Sequence, residues 1–243
     1  MKHLPFALLA LAATAAYAQN EPAAKHTGGQ VEFVSIDKMP IPVPPSELQK
    51  AKRVSAAKAA DGFSTIETSP QTVRQFLANV DLVTSLADER ATALKMGSRP
   101  LKAPQVVRNV SELKLGFKTA AMHRGELIGA SPQGTIVGDA WTGVERFYRI
   151  AGAGIVRISE TDLKATGGRF YMLKDAINTQ VGGQPAISKV FNDGEGRTVE
   201  EVLWVQGHKL FMLTFAPDME NGRFGLAKSN VRISANSLAQ ELR

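Results

Sequence analysis

The side chains that could carry acid–base or nucleophilic chemistry are sparse in this chain. It has four histidines and no cysteine, and no histidine stands in an H-E-x-x-H frame or four residues from a second metal ligand. The absence of cysteine excludes disulfides, thiolate nucleophiles and cysteine-based zinc or iron–sulfur sites. His123 is the one histidine that we retain as a catalytic candidate, in a hydrolase that would need a serine or carboxylate to converge on it in three dimensions.

An acidic cluster around residue 195 is the grouping whose composition comes nearest to a metal site. Its members are Asp193, Glu195, Glu200 and Glu201. Carboxylates alternating with glycine can surround calcium, which takes oxygen ligands in a flexible geometry. The cluster lacks the twelve-residue calcium loop with its terminal glutamate, and Arg197 lies inside it. A charged turn between two strands is therefore the favoured interpretation, and we expect no bound metal.

Two glycine pairs are turn signals and not nucleotide-binding loops. Gly152 and Gly154 lack the third glycine and the following helix of a dinucleotide-binding fingerprint. Gly182 and Gly183 precede a strand, whereas a phosphate-binding loop opens a helix and carries lysine followed by serine or threonine. We therefore expect no cofactor.

Aromatic residues of the C-terminal region offer one hypothesis for a small-ligand site. Most of them should lie in the core, but a partly uncovered sheet face would let some line an apolar pocket. We predict this role for Trp141, Tyr148, Tyr171 and Trp204.

A second binding hypothesis rests on the proline-rich segment at residues 39–45. Alternating prolines exclude a helix or a central strand and favour an extended polyproline II conformation. Such a segment acts either as a semi-rigid spacer or as a docking strand that loses little entropy on binding. The candidate docking residues are Pro40, Pro42, Pro44 and Pro45.

The first 18 residues have the pattern of a cleavable export signal. Lys2 precedes an apolar run, and Ala16-Tyr17-Ala18 supplies the small-x-small cleavage site. The run is shorter than the roughly 20 apolar residues of a membrane span, so an uncleaved anchor is the less favoured alternative. We expect a soluble periplasmic or secreted protein with no transmembrane segment in the mature chain. Its basic residues are scattered and lack interleaved aromatics, which argues against nucleic-acid binding.

The apolar spacing predicts one long helix followed by short strands. Ser69 as N-cap and Pro70 at the first helical position start a helix over residues 70–96, which carries one apolar stripe. Strands are predicted at residues 135–141, 146–150, 154–159, 184–191, 199–205 and 209–215. The last two alternate around a turn at residues 207–208 and predict a hairpin inside a sheet.

This order predicts an α+β fold, with a long N-terminal helix and a short C-terminal helix packed on a twisted antiparallel sheet. The predicted organisation is a signal peptide at residues 1–18, a flexible proline-containing linker at 19–64 and a single α+β domain at 65–243. One short strand is predicted within the linker, at residues 31–36.

The C-terminal part of the chain resembles PsbP-like α/β/α sandwich domains. The resemblance rests on residues 182–186, 201–204 and 209–215 and on Ser237-Leu238-Ala239. It implies the sandwich fold and a non-catalytic accessory or binding role, without naming a site.

These observations favour a non-enzymatic, exported accessory or binding protein of the cell envelope. It would present a surface or an apolar pocket to an envelope protein or a small ligand. The alternative is a periplasmic hydrolase with dispersed active-site residues around His123.

Overall fold

The fold is built around one large β-sheet, which the computed structural model describes together with its flanking helices. The described residues are 30–35, 38, 49, 65–96, 106–167, 169–217, 219–220, 223–224 and 233–242. The strands are β1 (Gln30–Val34), β2 (Thr65–Thr68), β3 (Glu126–Val137), β4 (Ala140–Ile150), β5 (Gly154–Asp162), β6 (Arg169–Leu173), β7 (Thr179–Val181), β8 (Gln184–Asn192), β9 (Thr198–Gln206), β10 (Lys209–Pro217), β11 (Met219–Glu220) and β12 (Arg223–Phe224). The helices are α1 (Pro70–Lys95), α2 (Leu163–Thr166) and α3 (Ala235–Gln240), and single 3-10 turns lie at Val110–Glu112 and Lys174–Ala176.

The predicted α+β class, with a long N-terminal helix as a main partner of the sheet, is wrong. The described part of the chain is mainly β, with 49% of its residues in strands and 26% in helices. Strands β1 and β2 precede α1, and the other two helices are only four and six residues long. The sequence patterns predict too few strands, because β3 contains glycines and a proline, and because β6 and β7 are too short to show a clear alternation.

The main sheet has eight strands and is mixed. The strand order is β2-β8-β9-β10-β5-β4-β3, and β7 pairs with β8 outside this path. Neighbouring strands are antiparallel except β2, which runs parallel to β8. The hairpin predicted over residues 199–215 is confirmed as β9–β10 in the interior of this sheet.

One predicted strand, at residues 135–141, is wrong because a turn interrupts it. Strand β3 ends at Val137 and β4 begins at Ala140, and the two pair as a hairpin. Gly138 between them has φ of +68°, a left-handed conformation that favours glycine.

The segment before α1 contributes a strand to the folded body. Strand β1 pairs in parallel with β6, from Gln30 opposite Arg169 to Val34 opposite Leu173. The possible strand predicted at residues 31–36 is thus present, although most of the predicted linker lies outside the described residues. The boundary proposed at residue 65 stays a prediction.

The two faces of the main sheet are distinguished by strand register, because directly paired residues point to the same side. Phe147, Arg157 and Thr214 are paired across β4, β5 and β10 and define the front face. Tyr148 and Val156 are paired one position further on and lie on the opposite, back face.

Helix α3 covers the back face. The apolar side chains of β4, β5, β9 and β10 on this face form one buried cluster with Ala235, Leu238, Ala239 and Leu242. Ser234 caps the helix by accepting a hydrogen bond from the backbone N–H of Ser237. Burying each large apolar side chain in this way stabilises the fold by roughly 1.5–3 kcal/mol.

The front face carries two separate apolar clusters. In the α1 cluster, the helix packs onto one end of the strands through Val73, Phe76, Val80, Val83 and Ala87. In the β6 cluster, Leu163, Phe170 and Met172 pack onto the other end, against Ile187, Leu203, Val205 and Met212. The strip of the sheet between these clusters holds the candidate site.

Candidate functional site

A row of polar side chains crosses the front face between the α1 cluster and the β6 cluster. We call this row the polar belt; its residues are Gln133, Glu145, Arg157, Ser159, Thr214, Glu201, Lys189 and Glu67. They come from seven neighbouring strands, one or two from each. Charged residues are rarely found at such sheltered positions without a specific reason.

Arg157 lies at the centre of the belt. Its Nη2 donates a hydrogen bond of 2.8 Å to the Thr214 hydroxyl, and its Nη1 is 3.6 Å from a carboxylate oxygen of Glu145. The guanidinium carbon is 5.7 Å from the centre of the Phe76 ring, a cation–π distance. Because Phe76 belongs to α1, this contact connects the belt to the helix that borders it.

Glu145 occupies a sheltered position at the β3–β4 side of the belt. Burial raises the pKa of its carboxyl, and the charge of Arg157 and a hydrogen bond from Gln133 offset only part of this effect. Gln133 also accepts a hydrogen bond of 2.7 Å from Ser159. This side of the belt is therefore internally hydrogen-bonded.

Glu201 occupies the β8–β9 side, and its environment differs. The residue is only 7% exposed, and within the described part of the chain no hydrogen bond or close ion pair reaches its carboxylate. Burial raises its pKa, against the lowering effects of the Arg157 and Lys189 charges. Lys189, its neighbour on β8, is 3.7 Å from the carboxylate of Glu67 instead. Buried polar groups normally have hydrogen-bond partners. Among the described residues of the belt, the Glu201 carboxylate and the Nε of Arg157 both lack one, and Glu201 is the carboxylate to be explained.

A second buried charged cluster shows how this sheet compensates a carboxylate fully. On the back face, Glu160 accepts hydrogen bonds of 2.8 Å from both Arg146 and Lys209 and of 3.0 Å from the backbone N–H of Ala120. Arg146 in turn donates to the carbonyl of Ala120. These contacts, which we call the Glu160 cluster, tie the segment before β3 to the sheet and indicate a structural role.

Sequence reasoning missed the belt, although a signal for it was present. In β9, Glu201 interrupts the inward-facing series Val199, Leu203 and Val205. In β5, Arg157 is the next inward-facing residue after Ile155 and interrupts the apolar series in the same way. A single charged residue at an inward position of several strands would have indicated the belt, but the inward face is known only when the register is known.

The predicted acidic cluster is divided by the fold and does not form one site. Asp193 accepts hydrogen bonds from the backbone N–H groups of Glu195 and Arg197 and pairs with the Arg197 side chain. Glu200 points to the back face and accepts a 2.7 Å hydrogen bond from the backbone N–H of Ala235. Glu201 alone enters the belt. Among the described residues, no group of three or more His, Cys, Asp or Glu side chains could hold a metal ion.

The four aromatic residues predicted for an apolar pocket lie in different places. Trp204 and Tyr148 are buried in the back-face core, where Trp204 stacks on Phe211 with ring centres 4.9 Å apart. Trp141 is half-buried near the β3–β4 turn, and Tyr171 is half-buried in β6. The fold thus brings two of the four into one packed core.

The remaining candidates of the sequence analysis have no site built around them in the described part of the chain. His123 is exposed, and no described residue forms a hydrogen bond or ion pair with its side chain. Pro40, Pro42, Pro44 and Pro45 lie outside the described residues. None of the described helices has the length and apolar character needed to cross a bilayer.

Comparisons with known proteins add no identification. No protein-family model matches this chain, and no curated protein or solved structure is significantly similar to it. The resemblance to PsbP-like domains therefore stays a prediction.

Proposed function

We propose that this protein is an exported, non-enzymatic accessory protein of the cell envelope that binds a small polar ligand in the belt. The observation that carries the proposal is Glu201, a carboxylate that is 7% exposed and has no hydrogen bond from the described residues. A small ligand with hydrogen-bond donors would satisfy this carboxylate. Ligand sites commonly combine apolar walls with a few convergent polar groups, and the belt lies between two apolar clusters.

Two further features of the belt support the proposal. The buried carboxyls of the belt have raised pKa values, which is a common property of functional sites. No nucleophile with an adjacent base accompanies them among the described belt residues, since Ser159 donates its hydroxyl proton to Gln133 and Thr214 accepts from Arg157. The exposed His123 lies outside the belt, so no observation favours the hydrolase alternative.

To test the proposal, the full exported protein is isolated from a cell-envelope fraction, and its mass is measured under denaturing and under native conditions. Denaturing mass spectrometry should give an N-terminus at Gln19, as expected for cleavage after Ala18. Native mass spectrometry should give an additional mass of a small molecule that is lost on unfolding. Glu201→Gln should reduce this retention, whereas Glu89→Gln, on the exposed side of α1, should leave it unchanged.

Either of two results would contradict the proposal. One is an intact N-terminus at Met1 in protein found in the cytoplasm. The other is the absence of any retained or added ligand, combined with turnover of an ester, peptide or glycan substrate that His123→Ala abolishes.

A further inference from the structure

We infer that the ligand of the polar belt is a small organic primary amine, whose ammonium group pairs with Glu201. This inference rests on the proposed binding function and gives its ligand a chemical class. It depends on the charges of the belt, on the partners that these charges already have, and on the side chains that border Glu201.

The belt contains one more carboxylate than it has cations. Arg157 lies 3.6 Å from Glu145, and Lys189 lies 3.7 Å from Glu67. Each basic side chain thus has its close ion pair with another carboxylate, and its charge acts on Glu201 only over a longer distance. Bringing a charged carboxylate out of water is costly unless a cation or hydrogen-bond donors compensate it. A single additional positive charge would balance the carboxylates and cations of the belt.

The surroundings of Glu201 favour an ammonium group over a metal ion. Divalent cations take several oxygen ligands, and the described residues contain no group of three or more possible ligands. Thr214 is the direct partner of Glu201 in the sheet register, so its hydroxyl belongs to the same row. An ammonium group has three donors and no acceptor, which suits a carboxylate with polar oxygens beside it.

The neighbours of Glu201 along the strand favour a strong ion pair at this position. On the front face of β9, Glu201 stands between Val199 and Leu203, which are 0% and 5% exposed. Val199 belongs to the α1 cluster and Leu203 to the β6 cluster. Glu201 therefore has hydrocarbon on both sides along the strand, and an ion pair formed there is stronger than one in water.

The requirement for a positively charged ligand is tested with three probes of nearly equal size. n-Butylamine, n-butanol and butyrate are titrated into the mature protein near neutral pH, and binding is measured by ligand-observed NMR and calorimetry. Only the amine should bind. Glu201→Gln should lower the affinity for butylamine by roughly 10- to 100-fold, the loss expected for one charge-assisted hydrogen bond. Glu89→Gln should leave this affinity unchanged.

The outcomes separate the inference from the proposed function. Binding of butanol or butyrate in preference to the amine would overturn the inference and leave a binding protein. Amine binding that is equal in wild type and Glu201→Gln would also overturn it. Failure of every probe, together with no retained small molecule in native mass spectrometry, would refute both. Should Glu201→Gln not fold, the side-chain carboxyl resonance of Glu201 in the wild type decides, because it must shift when butylamine is added.

Discussion

Arg146 donates a hydrogen bond of 2.8 Å to Glu160, and the two side chains are 2% and 0% exposed. Lys209 adds a second basic contact at the same distance from the other oxygen of Glu160. On the opposite face of the sheet, Glu201 is nearly as well buried but receives no hydrogen bond from the described residues. One sheet thus holds a buried carboxylate with several hydrogen bonds and another with none from the described residues. This contrast is the basis for assigning a structural role to Glu160 and a binding role to Glu201.

The structural role of the Glu160 cluster predicts a large loss of stability on disruption. Arg146→Met should destabilise the protein by about 3–5 kcal/mol, because it leaves the buried carboxylate of Glu160 without its main partner. Chemical denaturation followed by circular dichroism measures this loss. The control is Arg108→Met, which removes the exposed ion pair with Asp88 and should cost less than about 1 kcal/mol. Equal effects of the two substitutions would contradict the structural assignment.

The placement of the two tryptophans predicts different accessibility to a quencher. Trp204 is 1% exposed and stacked on Phe211, whereas Trp141 is half-buried near a turn. In Trp141→Phe, the remaining Trp204 fluorescence should resist acrylamide; in Trp204→Phe, the remaining Trp141 fluorescence should be quenched readily. Trp204→Ala should cost about 3–5 kcal/mol, as for other large core aromatics. Strong quenching of Trp204 would instead favour the aromatic pocket expected from the sequence.

The raised pKa of Glu201 predicts a pH-dependent stability difference between wild type and Glu201→Gln. A carboxyl whose pKa is higher in the folded than in the unfolded state binds a proton on folding, so its stabilising contribution is present at low pH. That contribution is lost as the pH rises from about 4.3, the ordinary glutamate value, through the raised value in the folded state. The free energy of unfolding of the wild type should therefore fall relative to that of Glu201→Gln across this window. A constant difference would contradict the raised pKa of the buried Glu201 carboxyl.

Asp193 should show the opposite sign in the same experiment. Burial alone would raise the pKa of Asp193, but hydrogen bonds from the Arg197 side chain and from the Glu195 and Arg197 backbone outweigh it and hold the pKa below its ordinary value. Its contribution is present above about 3.9, the ordinary aspartate value, and is lost as the pH falls through the lowered folded value. Asp193→Asn should therefore be most destabilising near neutral pH and least so in strong acid, as measured by denaturation across that range.

The central part of the sheet could be predicted because its sequence signals are local. The β9–β10 hairpin combines alternating apolar residues with a turn at Gly207, and both signals lie within twenty residues of one another. The turn before β9 was found in the same way, from the glycines around Asp193. The pairing of β1 with β6 could not be predicted, because the two strands lie far apart in the chain and neither shows a distinctive alternation.

The candidate site could not be predicted because it depends on register across seven strands. Glu201 looks like a member of an acidic turn until the strand pairing places it opposite Thr214 and Lys189. Arg157 in the same way looks like an outward-facing residue of a half-exposed strand. Residue type alone selects the aromatic candidates, and the register separates Trp204 on the back face from Tyr171 in β6.

The ionisation of Glu201 is the quantity on which the binding account depends most directly. It is measured by NMR titration of the side-chain carboxyl carbon in protein labelled at glutamate, with Glu201→Gln for assignment. We predict that Glu201 titrates above the ordinary glutamate value of about 4.3 in the free protein. Saturating n-butylamine should then lower its pKa, because a nearby cation favours the carboxylate. An ordinary pKa that the amine does not change would contradict the account.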